Sequence, residues 1–225
     1  MVSRTLGPLQ SGNRTEGLHP ALEHAVDMAV ASLRKGGVVA YPTDTLYGLG
    51  AHGLNDGAVR QVFRIKGRQD GSPVPLLLGE VSDILRVAVD VAPLVWVLAR
   101  RFWPGPLTLI VPKGPAVPDS VTAGGGTVAV RIPDHPVPRE IARRLGAPIT
   151  GTSANISGAA GATTAEAVWA TVGEQVDLVI DCGPCPEGVG STVLDLTGGI
   201  PRILRPGPVS LASLRYVCGD LIEGP

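Results

Sequence analysis

The sequence predicts an α/β fold, a mixed sheet flanked by helices in one domain. Three observations predict it. Segments with helical and with strand-like apolar spacing alternate along the whole chain, which favours layered α/β architecture. Apolar residues make up 44% of 225 positions, enough for one sizeable core. No internal repeat and no linker-like stretch divides the chain.

The first element is a helix over 20–35. Leu22, Ala25, Val26, Ala29, Val30 and Leu33 recur at helical spacing, Pro20 suits the first turn, and Gly36-Gly37 ends it. Val38 to Tyr41 is a short buried strand running into Pro42. Asn55 and Asp56 can cap a helix reaching about Lys66. Pro75 to Leu78 is extended, and 93–103 is a helix closed by Trp103-Pro104-Gly105-Pro106. Leu107 to Val111 and Thr127 to Ile132 are strands, 136–145 is a helix, and Pro148 to Thr152 is one further strand. Thr164 to Val172 is helical, and strands follow at 177–181, 191–196 and 201–204. Ser210 to Val217 closes the fold as a short helix. Residues 1–17 lack an apolar stretch and are read as a flexible N-terminal tail, with 18–225 as the domain.

Composition narrows the function. The 30 glycines and 21 prolines follow no collagen-like period and imply many tight turns. Net charge is −1, and aromatic residues make up 4%, against a generally basic or base-stacking nucleic-acid binder. Only Lys35, Lys66 and Lys113 are lysines, so cationic groups are mostly guanidinium. Three cysteines cannot form a disulfide framework, which points to the reducing cytoplasm. The 21-residue uncharged run from Leu145 to Ala165 is rich in Gly, Ser, Thr and Asn, so it is read as loop, and no membrane association is expected.

Two motifs take plain readings. Gly48-Leu49-Gly50-Ala51-His52-Gly53 spells G-x-G-x-x-G, but it starts six residues after the strand and does not open a helix. These are read as turn glycines. Cys182-Gly183-Pro184-Cys185 spells a redox motif, but Pro186, Gly188, Gly190 and a strand follow it. It is read as a loop carrying two thiols. No metal-ligand spacing joins Cys218 to the histidines.

A different set carries chemistry. Pro42 to Gly50, Lys66-Gly67-Arg68, Thr127 to Pro133, Gly151 to Gly158, Ser191-Thr192-Val193 and Arg202 to Gly207 each place polar groups at the end of an element. Element ends can converge on one pocket held by a rigid sheet. Lys66, Arg68, Arg131 and Arg205 are cationic donors suited to phosphate or carboxylate. Ser153, Asn155, Ser157, Thr163 and Ser191 add neutral donors among glycines that allow close backbone approach. No Ser-His-Asp set or carboxylate pair accompanies them, so covalent catalysis is not indicated.

Together with Pro104 to Thr108, these stretches resemble the YrdC-type threonylcarbamoyl-AMP synthase family, in family order across about residues 20–210. The resemblance implies a single YrdC-like domain, a twisted mixed sheet flanked by helices around a deep positive cavity. It implies that L-threonine, bicarbonate and ATP, with Mg²⁺, give threonylcarbamoyl-AMP and pyrophosphate for N6-threonylcarbamoyladenosine in tRNA. By position it implies Lys66 and Arg68 as the catalytic phosphate-binding pair. It implies ATP contacts at Arg68, Ser72, Thr127, Asn155, Thr163, Ser191 and Arg205, and threonine contacts at Thr45, Arg131 and Ser153. Gln69 stands where the family has Pro, and Ser72 where relatives often have Asn or Lys. The chain ends soon after Arg205, which implies a member lacking the extra C-terminal domain. The implied partners are tRNA threonylcarbamoyl-transfer proteins downstream. The rival readings are an RNA-binding or carbamoyl-transfer module, whose concave face would take double-stranded RNA or tRNA, and a thiol redox protein using Cys182 and Cys185.

Overall fold

The computed structural model describes residues 18–67 and 72–224; the tail expected at 1–17 lies outside them. Helix α1 (Pro20–Arg34) starts at His19, whose ring accepts the Ala21 N–H at 3.3 Å. It buries the six apolar residues that its periodicity singles out. Strand β1 (Val39–Tyr41) runs antiparallel to β2 (Gly48–Gly50). Helix α2 (Asp56–Ile65) is capped by Asn55, whose Oδ1 accepts the Ala58 N–H at 3.1 Å. Strand β3 (Leu76–Leu77) precedes a 3₁₀ turn and the one-turn helix α3 (Ile84–Val87). Then come α4 (Pro93–Phe102), β4 (Leu107–Pro112), α5 (Asp119–Thr122), β5 (Thr127–Arg131) and α6 (Pro136–Leu145). Strands β6 (Ile149–Thr150) and β7 (Thr152–Ser153) lead to α7 (Ala165–Thr171), β8 (Leu178–Val179), β9 (Thr192–Asp195), β10 (Arg202–Arg205), α8 (Leu211–Cys218) and β11 (Ile222–Glu223).

The described strands form two mixed sheets, ordered β7-β2-β1-β8 and β11-β10-β9-β4-β5-β3-β6. The expected strand over 148–152 is split at Gly151, and its halves belong to different sheets. A Cβ on Gly151 would lie 2.7 Å from Leu77, so only glycine lets the chain cross there. Thr150 fastens the crossing: its N–H reaches Ala51 O at 3.0 Å, and its Oγ1 accepts the Ala51 N–H at 2.9 Å.

The seven-stranded sheet separates core from cavity by its two-residue period. On β4, Leu107, Leu109 and Val111 enter the core; on β5, Val128 and Val130 do. They pack with Leu98 and Trp103 from the α4 region, Leu194 and Leu214. Each such leucine contributes roughly 1.5–3 kcal/mol on burial. The opposite face carries Thr108, Ile110, Ala129 and Arg131, all lining one cavity.

One expectation is corrected. Gly48 and Gly50 are strand residues, not turn residues. The Tyr41 ring lies across them: a Cβ would come within 2.8 Å of Tyr41 Cε2 at Gly48 and 2.5 Å of Cε1 at Gly50. The absent side chains make room for that ring, whose Oη donates to Thr150 O at 2.5 Å. The motif therefore packs an aromatic ring and does not cradle a dinucleotide. Helices α3 and α5 and strand β11 lie in segments for which the sequence predicts no element; none is long enough to show a period.

Candidate active site

Both sheets line a cavity of about 600 Å³. Of the predicted residues, Thr45, Lys66, Arg131, Ser153, Asn155, Ser191 and Arg205 line it together. They come from six separate stretches of chain, and among the described lining residues there is no Asp or Glu. Across its floor, Arg205, Val193 and Thr108 are register partners on β10, β9 and β4, as Leu77 and Arg131 are on β3 and β5.

Arg131 is only 6% exposed and held at every nitrogen. Nε donates to Gly105 O at 2.9 Å, Nη1 to Thr45 Oγ1 at 3.0 Å and Nη2 to Asp44 Oδ1 at 2.5 Å. Thr45 is itself set by a turn in which Thr43 Oγ1 accepts the Thr45 and Leu46 N–H groups at 3.0 and 3.1 Å. A guanidinium has five N–H groups, so one on each terminal nitrogen of Arg131 is left for an anion. Burial lowers the Arg131 pKa, and the Asp44 carboxylate opposes that.

Lys66 is buried at the C-cap of α2. Its Nζ donates to Ser153 O at 2.6 Å, Asn155 O at 2.8 Å and Asn155 Oδ1 at 3.2 Å. Lys66 lines the cavity, and these N–H groups shape the loop after β7. Asn155 tightens the same loop, donating to Ile156 O at 2.9 Å and Ala159 O at 2.7 Å, and Ser153 Oγ donates to Asn155 Oδ1 at 2.5 Å.

Arg205 grips Ser191 O through Nε at 3.0 Å and Nη2 at 2.8 Å, and Nη2 also reaches Ser191 Oγ at 3.2 Å. Ser191 Oγ lies 2.7 Å from Thr108 Oγ1. Glycine is needed at 207, where a Cβ would lie 2.4 Å from Thr192 N, and at 190 a Cβ would press on the Arg205 guanidinium carbon at 3.1 Å. Burial lowers the Arg205 pKa first, and the positive charge of Arg131 lowers it further. The two guanidinium groups therefore sense each other across one space.

Three expected contacts fall outside the lining. Thr127 is exposed at the start of β5, on the face shared with Ala129 and Arg131. Thr163 is half-buried, with its carbonyl accepting the Cys185 N–H at 2.8 Å. Ser72 is half-buried beside Pro73, which does line the cavity. Arg68 lies outside the described residues. Leu77 and Ile110 line the cavity from outside every stretch that the sequence singles out, whereas Thr43, Tyr47, Thr108, Ala129 and Val193 lie within those stretches but carry no individual role there. The two-residue alternation of the strands could have found Thr108, Ile110, Ala129 and Val193.

The arrangement suits two anions side by side, with Arg131 at one part of the floor and Arg205 with Ser191 at another. Ile110, Ala129, Val193 and Pro75 add apolar surface to the same lining, suited to a flat ring. The described residues hold no cluster of three or more His, Cys, Asp or Glu side chains fit for a metal ion.

Cys182 and Cys185 are free thiols in the loop between β8 and β9, with no helix behind them. Burial pushes Cys182 up to about 12 and Cys185 up to about 11. At pH 8, roughly one Cys185 in a thousand is thiolate. Both thiols are expected to resist iodoacetamide in the folded protein and to react on denaturation, read by mass spectrometry; fast labelling of the native protein would contradict this. The raised folded pKa sets the sign of the linkage. These thiols favour the native state below the ordinary thiol range, and that contribution is lost as pH rises towards 11–12.

A family model described as telomere recombination, Sua5_yciO_yrdC, matches residues 31–207. The threonylcarbamoyl-AMP synthase of Pyrococcus abyssi is 39% identical over 199 residues, covering 88% of this chain and 58% of that protein. The Bacillus subtilis threonylcarbamoyl-AMP synthase is 40% identical over 197 residues, covering 87% of this chain and 57% of its own length. The crystal structure of P. abyssi Sua5 complexed with L-threonine matches with a TM-score of 0.89 at 38% identity, over 93% of this chain and 61% of that one. The chain thus spans about three fifths of the length of these relatives. Among the described residues, no helix is long and apolar enough to cross a membrane.

Proposed function

The chain belongs to the Sua5/YciO/YrdC family, and from that premise we propose that it condenses L-threonine, bicarbonate and ATP into threonylcarbamoyl-AMP and pyrophosphate. The observation that carries this reading is the convergence of Lys66, Arg131 and Arg205 on one cavity whose described lining contains no carboxylate. Such a site favours a triphosphate beside an amino acid carboxylate and disfavours an uncharged ligand. The P. abyssi protein complexed with L-threonine supports the amino acid half.

In the proposed reaction the neutral threonine amine adds to the carbon of carbon dioxide and loses a proton, or adds to bicarbonate with loss of water, a C–N bond forming as a C–O bond breaks. The resulting N-carboxylate attacks the α-phosphorus of ATP, one P–O bond forms, another breaks, and pyrophosphate leaves. Arg131 takes the threonine carboxylate through its two unused N–H groups, and Thr45 fixes the orientation of that fork. Ser153 lies beside it. Arg205, Ser191 and Asn155 hold the nucleotide side, with Thr127, Thr163 and Ser72 at its margin. Lys66 contributes positive charge and the shape of the loop, and Arg68 belongs to the same phosphate-binding proposal. The work of the protein is alignment of two repelling anions and neutralisation of charge gathering at phosphorus.

Mg²⁺ would enter on the triphosphate and neutralise part of its charge. The described lining offers hydroxyls and carbonyls but no carboxylate cage, so a protein-held ion does not fit it. The product is a reactive mixed anhydride, and it would pass to tRNA threonylcarbamoyl-transfer proteins in the cytoplasm.

The test is pyrophosphate release from ATP with threonine and bicarbonate omitted in turn. Release is expected only when both are present. Equal release without threonine would overturn the reading.

A further inference from the structure

Asp44 is a buried carboxylate that the reaction above does not use. Its side chain is 10% exposed, and it does not line the cavity. Oδ1 accepts from Arg131 Nη2 at 2.5 Å, whereas Oδ2 is buried without a hydrogen-bond partner. A buried ion pair with an unsatisfied oxygen is a poor stability device, because desolvation offsets most of the attraction. Its presence calls for another reason.

Geometry supplies one. The Asp44–Thr45 segment holds both terminal nitrogens of Arg131, one by carboxylate and one by hydroxyl. Gly105 O holds the third nitrogen from a different loop. The guanidinium plane is fixed at three points before any ligand arrives, and the remaining N–H groups are aimed rather than searching. The segment is buttressed from behind, where Glu187 N–H donates to Asp44 O at 3.3 Å and Gly188 N–H to Thr45 O at 3.1 Å. Charge matters as well. Arg131 and Arg205 line one space, and the positive charge of Arg131 disfavours the charged form of Arg205. A carboxylate behind Arg131 offsets that repulsion without entering the cavity.

We propose that Asp44 is a positioning residue for the amino acid half of the site: it orients Arg131 from behind and offsets its repulsion of Arg205, touching no substrate. The proposal rests on the reaction proposed above and predicts an asymmetry that general damage would not produce. Asp44→Asn leaves an oxygen for Arg131 but removes the negative charge. The KM for threonine is expected to rise about tenfold or more, as interactions with that substrate are lost. The KM for ATP is expected to stay level or fall, because the cavity becomes more positive.

Both constants are measured by pyrophosphate release, with melting temperature alongside. Asp44→Glu keeps the charge on a longer arm and is expected to show a smaller threonine effect with ATP unchanged. A parallel rise of both KM values, an unchanged threonine KM, or failure of both variants to fold would overturn the proposal. Wild-type protein that releases pyrophosphate without threonine would instead defeat the reaction itself, so the two failures are distinguishable.

Discussion

Arg131→Lys is expected to lower kcat/KM for threonine about 100-fold or more while the protein stays folded. Lysine keeps one positive charge for the buried Asp44 carboxylate, so the large penalty of an uncompensated buried charge is avoided. What it loses is the planar fork. In Arg131, three nitrogens reach Gly105 O, Thr45 Oγ1 and Asp44 Oδ1 and still leave two N–H groups for a ligand. One ammonium at the end of a flexible stem cannot do the same. Removal of one well-placed hydrogen-bond donor to developing charge typically costs 10²–10³ in rate, about 2.7–4 kcal/mol. Steady-state kinetics with threonine varied at saturating ATP checks this. A change under threefold would remove Arg131 from the amino acid half of the site.

Lys66→Met is expected to damage both stability and activity. Methionine keeps much of the stem volume but leaves Ser153 O, Asn155 O and Asn155 Oδ1 without their donor. Each unsatisfied buried acceptor costs about 1–3 kcal/mol, partly relieved where Ser153 Oγ still donates to Asn155 Oδ1. A total near 3 kcal/mol lowers the melting temperature by roughly 6–12 °C in a domain of this size. The loop carrying Ser153 and Asn155 would lose its shape, and activity is expected to fall at least 100-fold. Calorimetry and pyrophosphate release check the two effects. An unchanged melting temperature with a raised KM for ATP alone would show that Lys66 acts by charge and not as a loop anchor.

These two residues also show what can be read from sequence. Lys66 and Arg131 stand out as cations at element ends, and both line the cavity. What each holds was not legible, because the partners come from afar. The acceptors of Lys66 lie 87 and 89 positions later, and Asp44 lies 87 positions before Arg131. Local patterning worked where one element supplied the whole signal. The six buried residues of α1 announce one face of a helix, and Gly36 follows it in a left-handed conformation as a stop signal should. It failed at Gly48 and Gly50, which resemble turn glycines locally and are strand residues because the Tyr41 ring occupies their side-chain space. Thr108 shows the intermediate case. It lies on a strand that was recognised, and the face it presents follows from alternation with Leu107 and Leu109.

If one cavity holds an amino acid carboxylate and a triphosphate together, a crystal structure with L-threonine and a non-hydrolysable ATP analogue bound will show both there. The threonine carboxylate is expected on the unused N–H groups of Arg131 and the phosphates beside Arg205 and Ser191, in the same cavity. Nucleotide bound on an outer face, away from those side chains, would contradict it.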